Sequence, residues 1–312
     1  MMPLDGGMRS MEHELSVDRP VEVALVASWV VFVLAGFSLV KFLSPQTFGW
    51  VVPLAALFVV RFEWDHPPPG VRWGAWKPDT RDFLVIAILL IVVTSVLRVA
   101  FMVAPTERGG TMALTVAGAS LVGVAGPVIY TVWHRHRSLE TLGITGDRLA
   151  LSAALAAVFG IMQFLVTLNH RSLPAPGRWV PLLALSLTLG LFESVFFFGF
   201  IQGRLEEALG ALPAAFLAAG LFALSHYGYH LPAADLVVMF GFGVLFAIAY
   251  RLARNILVLW PLLTPPAGFF TYLRSDVQTM PWVSLAAFTD VLLVMAVILT
   301  VSTRPGRSPD GA

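Results

Sequence analysis

The sequence predicts an all-α, polytopic membrane bundle of about ten spans. Three observations carry this. Of the 312 residues, 57% are hydrophobic and only 12% charged, against about 25% charged in a soluble domain. The apolar residues fall in runs of roughly 20, the length of a membrane-crossing helix. Helices satisfy their own backbone groups, so they are the economical way to fill such runs in hydrocarbon. Finally, one carboxylate, Glu193, lies inside the apolar run that begins near Trp179. A charge there costs roughly 2.5–3.5 kcal/mol on insertion scales, so such residues are rare and usually functional.

Composition also excludes. The chain has no cysteine, which removes disulfides, thiolate metal sites, cysteine nucleophiles and cysteine lipidation. The formal charge of +1 says nothing about partners, and the sequence carries no nucleic-acid signature. The lipid bilayer is the expected surrounding; no pattern bears on oligomeric state.

The expected spans are Val21–Leu43, Gln46–Phe62, Phe83–Val103, Thr111–Trp133, Leu149–Leu168, Trp179–Gly203, Ala211–Tyr227, Pro232–Tyr250, Ile256–Leu273 and Trp282–Thr303. Residues 1–20 read as a polar cytoplasmic segment without a cleavable leader, making the first span a retained signal anchor. Residues 21–133 form four N-terminal spans, 134–273 the membrane domain of interest, 274–303 the last span and 304–312 a disordered tail.

Lys and Arg set orientation. With ten spans, fourteen of them share the side of both termini and six lie opposite. The expectation is an integral plasma-membrane protein with both termini cytoplasmic. Two loops on that side stand out. Glu63–Asp82 carries Trp64, Trp73 and Trp76, as an interfacial segment does. His134–Arg148 offers Ser138 as a cap for a short helix, with Gly143 and Gly146 as breakers. Both are expected to connect rather than to react.

Depth arithmetic singles out a pair. At 1.5 Å per residue, Glu193 lies about 16 Å and His226 about 21 Å from one membrane face, less than a helical turn apart. Consecutive antiparallel helices then set carboxylate beside imidazole. Such a pair in a wet pocket can do general acid–base work on an amide. The ninth span, broken by Pro261, Pro265 and Pro266, brings Thr264 about 13 Å deep, and its freed carbonyls need protein or a wet cavity around them. His226 and His230 are spaced i, i+4, as metal ligands on one helix face are; Gly228 and Pro232 argue against continuous helix there. Against function, Glu193 alone reads equally as interhelical glue and His226 as an interfacial histidine. Their matched depth tips the balance to function. Asp290 is expected to be a structural partner, and Phe196–Phe198 to be packing or lipid-facing surface rather than a substrate clamp.

At these residues the chain resembles the CAAX-type prenyl protease and bacteriocin-processing family of intramembrane endopeptidases. That family's first motif is Glu-Glu-x-x-x-Arg, here E-S-V-F-F-F-G-F-I-Q over 193–202; its Phe-x-x-x-His is matched by Phe222 and His226. The run RNILVLWPLL from Arg254 is similar to an Asn-Ile-Leu-Val-Leu-Trp-Pro variant associated with prokaryotic members, and Leu139–Gly143 also fits. The resemblance covers roughly residues 135–273 and implies a hydrolase acting on a peptide or membrane-protein substrate. Glu193 would activate water, and His226 would stabilise the oxyanion or bind metal. Members have been described both as metalloproteases and as glutamate-dependent enzymes; under the first mechanism the cofactor would be Zn2+, with His226 and His230 as ligands.

The chain departs from the pattern in two ways. Ser194 and Phe198 stand where the motif has Glu and Arg, i and i+4 apart, so an ion pair is lost as a unit. Removing one partner of a buried pair is costly, whereas removing both can be neutral. The third-motif histidine has no counterpart; Leu263 or Thr264 occupies its place. The alternative reading is therefore a non-catalytic pseudoprotease acting as a membrane scaffold or immunity factor. A transporter with a proton-carrying Glu193 lacks any inverted repeat.

Overall fold

The computed structural model describes residues 19–65, 79–103, 110–168, 179–265 and 281–303. Nine long helices run through them: α1 (Arg19–Phe42), α2 (Pro45–Asp65), α3 (Thr80–Val103), α4 (Gly110–His134), α5 (Leu149–Leu168), α6 (Trp179–Leu209), α7 (Ala211–Ser225), α8 (Ala233–Ala253) and α9 (Pro281–Thr303). No strand occurs among the described residues. The fold is all-helical, as expected. Residues 1–18, Trp73, Trp76 and the tail after Thr303 lie outside the described residues.

The count of about ten spans is not recovered. Among the described residues, six helices are long and apolar enough to cross a membrane: Thr80–Met102, Gly110–His134, Leu149–Val166, Trp179–Leu209, Ala211–Tyr229 and Ala233–Ala253. Val26–Phe42 and Trp282–Val297 are shorter apolar helices. The expected ninth span is where the reading departs most from the fold. Only Ile256–Val258 is a 3₁₀ turn, followed by turns through Leu263. Proline lacks an N–H and its ring clashes with the preceding turn, so Pro261 keeps the Ile256–Val258 turn from running on as helix; helical backbone resumes only at Thr264 and Pro265, the last described residues of this stretch.

This irregular segment nevertheless enters the bundle. Ile256 N–H donates to Gly143 O (3.0 Å), and Asn255 Nδ2 donates to Thr145 O (2.9 Å) and Asp147 O (3.0 Å). Further on, Trp260 Nε1 donates to Leu187 O (2.9 Å) and Thr264 Oγ1 to Gly190 O (3.2 Å). The chain thus descends from the 143–147 loop to the middle of α6. It is buried at Ile256, Val258, Leu259, Trp260, Leu263 and Thr264. Non-helical backbone at membrane depth is tolerated only when enclosed in protein, and here α5 and α6 enclose it. A Cβ on Gly160 would meet Leu262 O at 2.6 Å, and one on Gly190 would meet Thr264 Oγ1 at 2.7 Å. Both glycines leave the space this segment fills.

α6 is the central helix: 72% of its apolar window is inside the protein, against 56% for α7 and α8. It is not uniform. Trp179–Glu193 is α-helical, Ser194–Gln202 is π-helical and Gly203–Leu209 returns to α. All nine π residues are buried. Phe192, Phe196, Phe197 and Phe200 pack on one another and are fully buried, so of the two expectations the aromatic run is packing and not lipid-facing surface. α8 is clasped by small residues. A Cβ on Gly49 of α2 would come within 2.4 Å of Val237 O, and Gly243 backs onto Ala219 of α7. Close backbone approach of this kind is how helices associate without a hydrophobic driving force between them. On α3 the outward stripe Leu84, Ile88, Ile91 and Val99 is exposed, the helical spacing of a lipid-facing surface.

Candidate active site

Glu193 is the last residue before the π segment of α6. π segments are uncommon and concentrate at functional sites. Their wider turns change the phase of every side chain that follows. Periodicity counted back from Arg204 therefore fails to say which way Glu193 points.

His226 follows α7, where the helix tightens into the 3₁₀ turn His226–Tyr229. Its Nδ1 lies 2.8 Å from Phe222 O. A carbonyl only accepts, so Nδ1 carries the proton and the neutral ring leaves Nε2 as an acceptor. Nε2 faces Glu193 Oε1 at 4.0 Å, with side-chain exposures of 12% for His226 and 15% for Glu193. The structure therefore brings the carboxylate and the imidazole together.

At 4.0 Å the two atoms are beyond a direct hydrogen bond but within reach of a shared water. The wall beside them is aromatic. Phe222 lies 4.6 Å and Tyr229 5.1 Å from the imidazole centroid. Thr264 sits one turn along, against Gly190. Its hydroxyl is 3.2 Å from Gly190 O and 3.5 Å from Leu259 O.

The positions altered from the family motif sit among neutral groups. Ser194 Oγ donates to Gly190 O at 2.7 Å. Phe198 is fully buried, 5.7 Å from the Phe222 ring and 6.1 Å from Phe246. The space of an ion pair is filled by a hydroxyl returned to its own helix and an aromatic ring.

His230 is not brought to the pair. It closes the turn at φ 65°, and its Nδ1 lies beside Arg98 Nη1 of α3. The i, i+4 spacing gives no shared face because the α-helix ends at Ser225. Among the described residues no group of three His, Asp or Glu side chains could hold a metal ion. Zinc asks for three protein ligands in a catalytic site. Glu193 and His226 supply two, and a guanidinium occupies His230. The described residues do not fit Zn2+, and no step is assigned to it.

Sequence reasoning missed three supports. The Phe222 carbonyl fixes the imidazole tautomer; the Phe-x-x-x-His spacing was the available signal. Asn255 pins the irregular segment, capping Ile256–Val258 by accepting from Leu257 N–H at 3.0 Å; an Asn just before a proline-broken run marks such a cap. The 138–148 loop, read as plain connection, presents the carbonyls that receive this segment. Ser138 does begin the short helix Leu139–Leu142, but without a side-chain cap, and Gly143 ends it at φ 72°.

Asp290, expected to be structural, accepts a hydrogen bond from Ser120 Oγ at 2.7 Å. Arg204, counted as a loop cation, is instead inside α6 with its side chain 3% exposed.

Comparison with curated proteins and with solved structures finds no match. Residues 175–262, less than a third of the chain, match the family model described as Rce1-like, "Type II CAAX prenyl endopeptidase Rce1-like", consistent with the family that the motifs resemble.

Proposed function

We propose that the chain is an intramembrane endopeptidase in which Glu193 activates water and His226 orients it. The family match points to an intramembrane protease at the coarse level. The observation that carries the finer reading is Glu193 Oε1 facing His226 Nε2 at 4.0 Å within an apolar bundle.

A water between them donates one hydrogen to each. Glu193 takes a proton from it as its oxygen attacks the scissile carbonyl carbon, then returns that proton to the leaving amine. With Nδ1 committed to Phe222 O, neutral His226 accepts from the water at Nε2. This supports the orienting role over oxyanion binding, which needs a proton on Nε2. The substrate is a peptide or membrane-protein segment that reaches the site from within the bilayer. The arginine-rich end of the bundle, with Arg135, Arg137 and Arg254, faces the cytoplasm of a plasma membrane on the charge rule. Both termini are proposed to lie there too.

The test is cleavage of transmembrane-segment peptides by the purified protein in detergent, wild type beside Glu193→Ala. Cleavage lost in the variant supports the reading. A folded wild type that binds such peptides and cleaves none of them puts the pseudoprotease first, the reading favoured by the lost Glu-Arg pair.

A further inference from the structure

The arginine-rich end of the bundle holds a cavity of about 210 Å³ lined by Asp79, Asp82, Arg135, Arg137, Arg204 and Glu207. Three cations face three carboxylates, but the pairing is uneven. Arg135 takes Asp79 at 2.6 Å and Asp82 at 3.4 Å. Asp82 also accepts from Tyr130 OH at 2.6 Å. Arg137 holds both oxygens of Glu207, at 2.6 and 2.8 Å. Each carboxylate already has a close partner.

Arg204 is the cation left over. Its side chain is 3% exposed, and among the described residues it approaches only Thr131 Oγ1 at 3.5 Å and Glu207 Oε1 at 3.6 Å. Its Nη1 is buried and makes no hydrogen bond. A buried charge needs a partner and hydrogen bonds for its remaining protons. A guanidinium offers five donors in a fork suited to oxyanions. Arg204 spends almost none of them, and it lines the cavity.

We propose that this cavity binds a single phosphate-type oxyanion on Arg204. Charge sets the class, because the unspent group is a guanidinium. Size sets the limit, because 210 Å³ is smaller than the roughly 300–1,000 Å³ of small-molecule sites. It suits a phosphate group with a few waters. Arg135 and Arg137 stand by to share its oxygens, as arginine clusters do with phosphates. The source is either free phosphate or a lipid headgroup. Phe83 and Ile86 of α3 form an apolar side of the same lining. The site is separate from Glu193 and independent of the protease reading.

The experiment measures the melting temperature of the full chain in detergent with inorganic phosphate, with short-chain phosphatidic acid, and with phosphatidylcholine of the same chain length. Sodium chloride matches ionic strength, and Arg204→Met is run in parallel. The site predicts a rise of several degrees with phosphatidic acid, none with phosphatidylcholine or chloride, and loss of the rise in R204M. An equal rise with inorganic phosphate makes free phosphate a sufficient ligand; a rise with phosphatidic acid alone makes the lipid the source. Because R204M removes an under-paired charge, its unliganded melting temperature should match or exceed wild type. If R204M does not fold, Arg137→Gln takes its place, with a weakened rise expected. Equal responses in wild type and variant, or no response to either phosphate, overturn the proposal.

Discussion

The middle of the membrane and the arginine-rich end use the same side chains in opposite ways. At the end, all the charges but Arg204 are spent on one another at contact distance. Arg135 holds Asp79 and Asp82, Arg137 holds Glu207 and Arg254 holds Glu206, with Gln202 Nε2 also donating to Glu206 at 3.0 Å. In the middle, Glu193 meets His226 only at 4.0 Å, against aromatic rings. The exposed pair among them, Arg137–Glu207, is worth about 0–1 kcal/mol, and together the pairs tie helix ends to one another. An ionisable group with an open partner is costly where water is scarce. On the proposed function, the difference separates groups that hold the bundle from groups that are free to react.

The contrast can be broken most forcefully at Phe198. Phe198→Arg puts a cation among the rings of Phe222 and Phe246 without its carboxylate. It should destabilise the protein by about 3–5 kcal/mol. Adding Ser194→Glu should recover much of the loss. A thermal double-mutant cycle reads the coupling; additivity would mean that the two positions never formed a unit.

A smaller effect is expected at the irregular segment. Asn255→Ala removes two donors to the 143–147 loop and the cap on Leu257. It should cost about 1–3 kcal/mol by leaving buried carbonyls unpaired. Peptide cleavage should fall with stability, because Thr264 and Trp260 hang from this anchor. Unchanged unfolding would show that the segment holds itself in place.

Chelation sharpens the comparison differently. Glu193 and His226 do not make a zinc site by themselves, so treatment with a chelator should leave cleavage unchanged. Loss of activity restored by added zinc would mean that ligands beyond the described residues complete the site.

The smallest effect is at the exposed end. Hydrogen bonds from Arg81 N–H and Arg135 hold Asp79 below its ordinary pKa of 3.8. Its contribution is present above the unfolded value and fades as pH falls through the folded one. Wild type should exceed Asp79→Asn in melting temperature at neutral pH by a small margin that closes below about pH 3.8. A margin independent of pH would assign it to something other than charge.

Much of this contrast was legible in the sequence, for particular reasons. Apolar run length located nine of the ten expected spans as helices, because burying backbone in lipid leaves few alternatives. The depth match of Glu193 and His226 was arithmetic on two helices, and the structure brings the two side chains together. The described part of the expected Ile256–Leu273 span, residues 256–265, misled because hydropathy registers burial and not helicity; Pro261 was the contrary signal. The π segment is invisible to periodicity, since nothing in SVFFFGFIQ breaks a helix. His230 was misplaced because spacing presumes a helix that ends at Ser225. Arg204 looked like a loop residue because nothing local says that α6 continues to Leu209.

The central claim of the proposed function is that Glu193 reacts while Asp290, on the short apolar helix α9, holds structure. It is tested most directly by the cleavage rate of Glu193→Gln beside Asp290→Asn, each with its melting temperature. Asp290 already accepts from Ser120. The account predicts a fall of about 10²–10⁴-fold for Glu193→Gln with melting temperature kept or raised, and near wild-type cleavage for Asp290→Asn. Cleavage that survives Glu193→Gln within a few fold, in a folded protein, would contradict it.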